Sequence, residues 1–191
     1  MLDIDNILAD KIYPIGVKQY IENSWVQKTG QIYKDGAWVN FETYLFSNGV
    51  YQTENKMVAY GSGTLKLAGG FLRSYMPENE YATYVFDKQI DTRNYSKVEI
   101  AINGGSINYN IWFGFSESKG VVPTNVNVNV FEISSVLIPR NGTTVTAGVY
   151  TIDLSNINDK LWFGFLTSGS SSSNTSTYGY GGIDIISIVF K

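Results

Sequence analysis

The chain has 191 residues, of which 43% are hydrophobic and 16% charged, a balance typical of a folded protein rather than a disordered one. Its 14 basic and 17 acidic side chains give a net charge of −3, and the basic residues are scattered, so the basic surface expected of a nucleic-acid-binding protein is missing. Histidine and cysteine are absent, which excludes disulfides, thiolate or imidazole metal ligands, cysteine nucleophiles and imidazole-based catalytic triads.

The N-terminal segment gives a weak helical pattern. Ile4, Leu8 and Ile12 could share one face of a short helix, which Pro14 and Gly16 would end. The segment has no basic stretch followed by a long apolar one, so we expect no signal peptide. We also expect no membrane insertion, because no stretch approaches the roughly 20 apolar residues of a membrane span.

A β-hairpin is predicted next. Asp35-Gly36 lies between QIY and AWVNF, and this dipeptide favours the tight turn in which both central residues have positive φ. Because an isolated hairpin is barely stable, this one must pack on the main body or on another chain. We place a domain boundary in the polar segment 47–56 and assign residues 1–56 to an N-terminal arm that anchors or oligomerises the protein.

From Met57 onward, short strand patterns recur about every ten residues, separated by Gly, Asn and Ser. Helical periodicity is almost absent, which indicates an all-β sandwich or barrel. We expect residues 57–191 to form a jelly-roll-like antiparallel β-sandwich. The eleven predicted strands contain MVAY, GTLKLAG, FLRSYM, YATYVFDKQI, KVEIAIN, NIWFGFS, VNVNVFEI, SVLIP, TVTAGVYTIDL, KLWFGFL and IDIISIVF.

Alternation along two of these strands predicts their surroundings. In NVNVNV, Val126, Val128 and Val130 would face inward, whereas Phe131 and Ile133 have the opposite parity and indicate a bulge or a crossing between sheets. The last strand, IDIISIVF, is apolar on both faces. It is therefore expected to be central in its sheet or covered by a partner.

One aromatic run occurs twice, as IWFGF at 111–115 and LWFGF at 161–165. Alternation places the phenylalanines of both runs in the core and one tryptophan and one glycine of each run on the opposite face. A mid-strand glycine costs about 0.5–1 kcal/mol relative to alanine, so the gap should be used by a neighbouring aromatic or, alternatively, by a ligand ring. The residues on this opposite face are Trp112, Gly114, Trp162 and Gly164.

Two segments resemble known families. YTIDLSNINDKLWFGF, together with IDIISIVF, resembles the closing half of jelly-roll modules of the carbohydrate-binding or lectin-like type. QIYKDGAWVNFETYLFSNG, residues 31–49, is similar to a segment of minor structural, tail-associated proteins of phages and prophages of Gram-positive bacteria. Together they imply a tail-associated β-sandwich, usually a homotrimer, in the virion or, as a prophage product, in the bacterial cytoplasm. The implied partners are a cell-surface glycan, sister chains and other tail proteins.

We do not expect catalysis, because the sequence identifies no two carboxylate side chains that would act together as the pair of acids needed for glycoside hydrolysis. Glu78 and Glu80 read as a solvated loop, and the resemblance carries no catalytic motif. The other acidic candidates lie on different predicted elements: Glu117, Glu132, Asp153 and Asp184.

No cofactor is expected either. A structural calcium ion stays open as an alternative, because jelly rolls often carry one, although no spacing resembles an EF-hand loop. Its candidate ligands are Asp87, Asp91, Asp153 and Asp184.

The segment TSGSSSSNTSTYGYGG, residues 167–182, is either a solvated connection or a recognition loop. Tyrosines give rigid amphipathic contact surface, and Ser and Asn give adaptable hydrogen bonds. Tyr178 and Tyr180 with Asn174 are therefore the first candidates for ligand contacts, and Trp112 and Trp162 the second.

Together with these residue patterns, the two resemblances imply a non-enzymatic, phage tail-associated module that binds a host cell-surface saccharide. The alternative is a purely structural virion protein whose aromatic faces form subunit interfaces.

Overall fold

The computed structural model divides the chain into two units, Met1–Thr43 and Tyr44–Lys191. The second unit begins before the polar segment 47–56, because the strand formed by residues 43–47 belongs to one of its sheets. The structure describes residues 42–107, 109–125, 128–169 and 177–191 and, before them, only the backbone of residues 18–21, 24–27, 31–34 and 37–40.

The first unit contains two antiparallel strand pairs. Its strands are β1 (Lys18–Ile21), β2 (Ser24–Gln27), β3 (Gln31–Lys34) and β4 (Ala37–Asn40). β1 pairs with β2, and β3 pairs with β4 with Lys34 opposite Ala37, which is the pairing expected for the hairpin. The turn residues Asp35 and Gly36 lie outside the described residues, as do residues 1–17 with the predicted helical face.

The second unit contains a six-stranded and a nine-stranded antiparallel sheet. The strands of the six-stranded sheet are β7 (Met57–Gly61), β10 (Tyr81–Phe86), β11 (Ile90–Asp91), β13 (Ile111–Ser116), β14 (Ser134–Ile138) and β18 (Lys160–Ser168). Their order is β14-β13-β18-β10-β7, and β11 also pairs with β18.

The nine-stranded sheet is built around β12 and β19, which pair along most of their length. Its strands are β5 (Thr43–Ser47), β6 (Val50–Tyr51), β8 (Thr64–Ala68), β9 (Phe71–Tyr75), β12 (Lys97–Ser106), β15 (Arg140–Asn141), β16 (Thr144–Val145), β17 (Gly148–Asp153) and β19 (Gly182–Phe190). β19 lies between β12 on one side and β5 and β9 on the other, so the central position expected for IDIISIVF is confirmed.

Aromatic rings from the two sheets meet in the core. Phe163 of the six-stranded sheet contacts Phe190 of the nine-stranded sheet edge to face, with ring centroids 5.5 Å apart. Phe113 stacks on Phe165 at 4.9 Å, and all four of these rings are fully buried. The parity predicted for the doubled run is thus confirmed, as is the all-β, jelly-roll-like sandwich. The described residues contain no α-helix, and hence none that could cross a membrane.

The doubled run forms two adjacent strands, with Gly114 directly opposite Gly164. A Cβ at Gly164 would collide with the carbonyl oxygen of Tyr84 on the neighbouring strand. A Cβ at Gly114 would lie 2.5 Å from the Ser134 oxygen and 2.6 Å from the Cβ of Phe131. The gaps are therefore filled by the chain itself, in one case by an aromatic residue lying over the bare backbone, rather than by a ligand.

The prediction of a strand over VNVNVFEI is wrong for the residues of this segment that the structure describes. Residues 128–132 form no strand, and Val128 is exposed, whereas Phe131 is buried against the outer face of the six-stranded sheet. The side chain of Asn129 accepts a hydrogen bond from the Phe131 N–H (3.0 Å) and donates one to the Ser135 hydroxyl (2.8 Å). This side chain takes the place of a strand partner, a competition that alternation alone does not reveal.

Replacing Gly164 with Ala tests the close approach of β18 to β10. The added methyl group must push the Tyr84 carbonyl away, so we expect the free energy of unfolding, measured by urea denaturation, to fall by about 2–3 kcal/mol. Gly148→Ala is the matched control, because its Cβ would find only an ordinary contact 3.5 Å away. Equal stability of the two variants would contradict the described packing.

Candidate functional site

The outer face of the nine-stranded sheet carries a group of polar and aromatic side chains. On β9 the inward residues Leu72 and Ser74 are buried, which turns Arg73 and Tyr75 outward. Asp184 of β19 lies opposite Arg73 in the ladder. We call the group formed by these outward residues and the adjoining Tyr178 the arginine–tyrosine cluster: Arg73, Tyr75, Tyr178 and Asp184.

The Arg73–Asp184 ion pair organises the cluster. The Arg73 Nε donates to Oδ1 of Asp184 at 2.6 Å and Nη2 donates to Oδ2 at 2.7 Å, a bidentate arrangement. The Asp184 side chain is only 2% exposed, whereas that of Arg73 is 26% exposed. Nη1 of Arg73 has no hydrogen-bond partner among the described residues. The pair thus fixes a guanidinium group in one orientation with one nitrogen still able to donate.

Tyr178 completes the cluster. Its hydroxyl donates to Oδ2 of Asp184 at 3.1 Å, and the guanidinium carbon of Arg73 lies 5.3 Å from its ring centroid, within the range of a cation–π contact. Burial, reinforced by the negative charge of Asp184, raises the pKa of Tyr178 to about 12. The phenol therefore stays protonated and keeps donating at any physiological pH.

The turn that contains Tyr178 is hydrogen-bonded to the residue that follows Tyr75 at the end of β9. The Met76 N–H donates to the Tyr178 carbonyl at 3.3 Å, and the Tyr180 N–H donates to the Met76 carbonyl at 2.9 Å. Gly179, at φ +64°, lies so close to the Tyr75 ring that a Cβ would come within 2.5 Å of it. Tyr75 remains 37% exposed. Both tyrosines are thereby held at the end of a sheet strand rather than on an independent loop.

Two of the residues nominated from the sequence lie close together here, and only one of them enters the cluster. Tyr178 contacts Arg73 and Asp184 through its side chain, whereas Tyr180 is half-buried and is tied to β9 through its backbone. Asn174, the third of these ligand candidates, lies outside the described part of the chain, as does Val126 of the predicted VNVNVFEI strand.

Sequence reasoning missed Arg73 and Tyr75 as site residues and treated Asp184 only as a possible acid or calcium ligand. The available signal was a single charged residue in each of two otherwise uncharged strands, FLRSY and IDIISIVF. A lone charge between buried neighbours needs a partner.

The tryptophans of the doubled run lie on the outer face of the other sheet. Trp112 packs in a small cluster with Val130, Phe131 and Leu166, and its indole N–H is buried with no hydrogen-bond partner in the part of the chain that the structure describes. Trp162 is half-buried, and Nζ of Lys119 lies 4.7 Å from its ring centroid. Both indoles are thus engaged by the chain's own residues.

The calcium candidates are each held by a different group. Asp87 pairs with Lys119 at 2.7 Å, Asp91 pairs with Arg93, and Asp153 accepts from the Ser155 N–H at 2.9 Å. These contacts hold the pKa of each of the three carboxyls below its ordinary value. Among the described residues, no three acidic side chains are grouped closely enough to hold a metal ion.

An open cleft of about 480 Å³ lies where β13 and β17 end and β14 and β18 begin. It brings together acidic residues that are distant in sequence, but its lining contains no aromatic ring and no basic side chain. The lining residues are Glu117, Ile133, Ser134, Asp153, Asn156, Ile157, Asn158, Asp159 and Leu161.

Comparison with known proteins gives only distant likenesses. No family model matches the sequence, and no curated protein matches it. Among solved structures, the xylan-binding module CBM86 of Roseburia intestinalis is 11% identical, with 80% of this chain and 96% of that chain covered and a TM-score of 0.45. A family 29 carbohydrate-binding module is 10% identical, with 78% and 87% covered and a TM-score of 0.46. A family 29 module complexed with cellulohexaose is also 10% identical, with 78% and 89% covered and a TM-score of 0.46.

The raised pKa of Tyr178 predicts a pH dependence. Because the folded value of about 12 lies above the ordinary value of 10.0, this residue contributes stability below pH 10 that is lost as the pH rises towards 12. We expect the difference in phenolate absorbance between the folded parent and Tyr178→Phe to titrate near pH 12. A difference curve centred at pH 10 would show that Tyr178 is neither buried nor bound to Asp184.

Proposed function

We propose that the protein is a saccharide-binding module and that the arginine–tyrosine cluster is its contact surface. The observation that carries the proposal is the exposed ring of Tyr75 beside a guanidinium group fixed by a buried carboxylate. Sugars are bound by stacking the C–H face of the ring on an aromatic side chain and by hydrogen bonds to their hydroxyl groups. The cluster offers both kinds of contact on the outer face of one sheet.

Preorganisation supports this role. A flexible arginine loses side-chain entropy when it binds a ligand, but Arg73 is already held by two hydrogen bonds to Asp184 and by the ring of Tyr178. Its Nη1 can donate to a ligand oxygen without further ordering. The backbone hydrogen bonds between Met76 and the turn at Tyr178 hold the two tyrosines in place in the same way.

The proposed role is binding without catalysis. A glycosidase needs two accessible carboxyl groups, one of them protonated, on either side of the scissile bond. The acid of the cluster, Asp184, is 2% exposed and uses both oxygens to accept hydrogen bonds from Arg73. It is therefore suited to holding the arginine and not to transferring a proton to a substrate.

The proposed setting is a phage or prophage tail, in which the module would contact a host cell-surface glycan, sister chains and other tail proteins. This part of the proposal rests on the resemblance of residues 31–49 to tail-associated proteins.

A structural virion protein is the second candidate function. Three strands that pair along only one side among the described residues, β7, β14 and β17, carry exposed apolar side chains, namely Val58 (40%), Leu137 (41%) and Val149 (64%). Such edges favour contacts with sister chains. If assembly through them is the function, serine at these three positions will lower the mass measured by light scattering, and an unchanged mass would contradict it.

Glycan-array binding tests the saccharide proposal. We expect the parent to retain at least one saccharide, and the variants Tyr75→Ala and Tyr178→Ala to bind it at least about tenfold more weakly, because central aromatic contacts dominate such interfaces. Tyr81→Ala is the matched control, since Tyr81 is a half-buried tyrosine on the other sheet. The proposal fails if nothing is retained, or if the cluster variants bind like the control.

A further inference from the structure

A second cationic side chain, that of Lys66, lies next to the arginine–tyrosine cluster. Lys66 of β8 is the direct cross-strand partner of Arg73, and its side chain is exposed. Directly opposed residues of this kind have Cβ atoms about 4.5–5.5 Å apart, where two like charges destabilise the sheet. Lys66 forms no ion pair with any described residue.

Two other lysines, one in this sheet and one directly after β19, have an ion-pair partner. Lys97 and Lys191 both pair with Glu99, at 2.7 Å and 2.6 Å. At the cluster, Asp184 neutralises Arg73 only, so the three charged groups Lys66, Arg73 and Asp184 sum to +1. This local charge is opposite in sign to the net charge of −3 of the whole chain. Lys66 is thus a cation without an ion-pair partner among the described residues, on a chain that is acidic as a whole.

We infer that the saccharide bound at this surface carries an oxyanion, either a carboxylate or a phosphate group, which lies between Lys66 and Arg73. The inference rests on the proposed saccharide-binding function and adds the chemical class of the ligand. Nη1 of Arg73 and Nζ of Lys66 both donate to the anion, and both charges strengthen these hydrogen bonds. Tyr75, two residues from Arg73 on the same face of β9, contacts the sugar ring that bears the anion.

A competing explanation for Lys66 lies in its position on the sheet. β8 pairs only with β9 among the described residues, and edge strands often carry lysine to prevent pairing with other chains. If Lys66 only prevents pairing at the sheet edge, the protein should show no preference for anionic saccharides, and replacing Lys66 should not change saccharide binding. The two explanations therefore differ in a measurable way.

Binding isotherms of the full chain with three polymers test the inference: polygalacturonate, which bears carboxylates, poly(glycerol phosphate), which bears phosphates, and neutral galactan. We expect at least one anionic polymer to bind about tenfold or more tightly than galactan, and this preference to shrink as NaCl is raised from 0.05 to about 0.5 M, because salt screens exposed charges. Preference for one anionic polymer over the other identifies the source of the oxyanion.

Variants of Lys66 complete the test. Lys66→Gln should weaken binding of the anionic polymer several-fold and leave any binding of galactan unchanged, while Lys56→Gln, at an exposed lysine before β7, should change neither. Equal affinity for galactan and both anionic polymers, or no effect of Lys66→Gln, would overturn the inference and leave saccharide binding standing. If the chain binds none of the three polymers, the inference is also overturned. The glycan array then decides separately whether the proposed saccharide-binding function is correct.

Discussion

The fold depends on the aromatic layer that the doubled run places between the two sheets. Phe163 contacts Phe190 across the sandwich, and the paired glycines of the doubled run allow close approach within the six-stranded sheet, of β14 and Phe131 to Gly114 and of β10 to Gly164. The same layer fixes the orientation of β19. Because Ile183 and Ile185 are buried in the core, the residue between them must point outward.

That outward residue is Asp184, and its position explains the arginine–tyrosine cluster. A carboxylate that is 2% exposed loses most of its hydration, a cost that only close cationic and hydrogen-bonding partners can offset. Arg73 supplies two charged hydrogen bonds and Tyr178 a third. The buried charge thereby orders two side chains on the surface, and core packing is linked directly to the geometry of the candidate site.

Much of the architecture could be predicted from the sequence, because alternation and turn residues are local signals. They identified the all-β class, the buried faces of the doubled run and the central last strand. The VNVNVFEI segment was predicted wrongly for a physical reason: the hydrogen bonds of the Asn129 side chain replace those of a strand partner.

The candidate site was only partly predictable. Tyr178 could be nominated from its loop composition, but its partner pair, Arg73 and Asp184, joins residues 111 positions apart. No local pattern in one sequence reports such a pairing. The buried aspartate could have been noticed as a lone charge in an apolar strand, although the identity of the cation that meets it depends on which strands become neighbours in the sheet.

Side-chain NMR of Arg73 tests most directly whether the arginine–tyrosine cluster binds the saccharide. In a titration of the full chain with a saccharide that it retains, we expect the Arg73 Nε–H signal and the ring signals of Tyr75 to shift together and to saturate with the binding isotherm, while the indole N–H of Trp162 stays unchanged. Shifts confined to the indole, or to the acidic cleft around Asn156 and Asn158, with Arg73 unmoved, would contradict it.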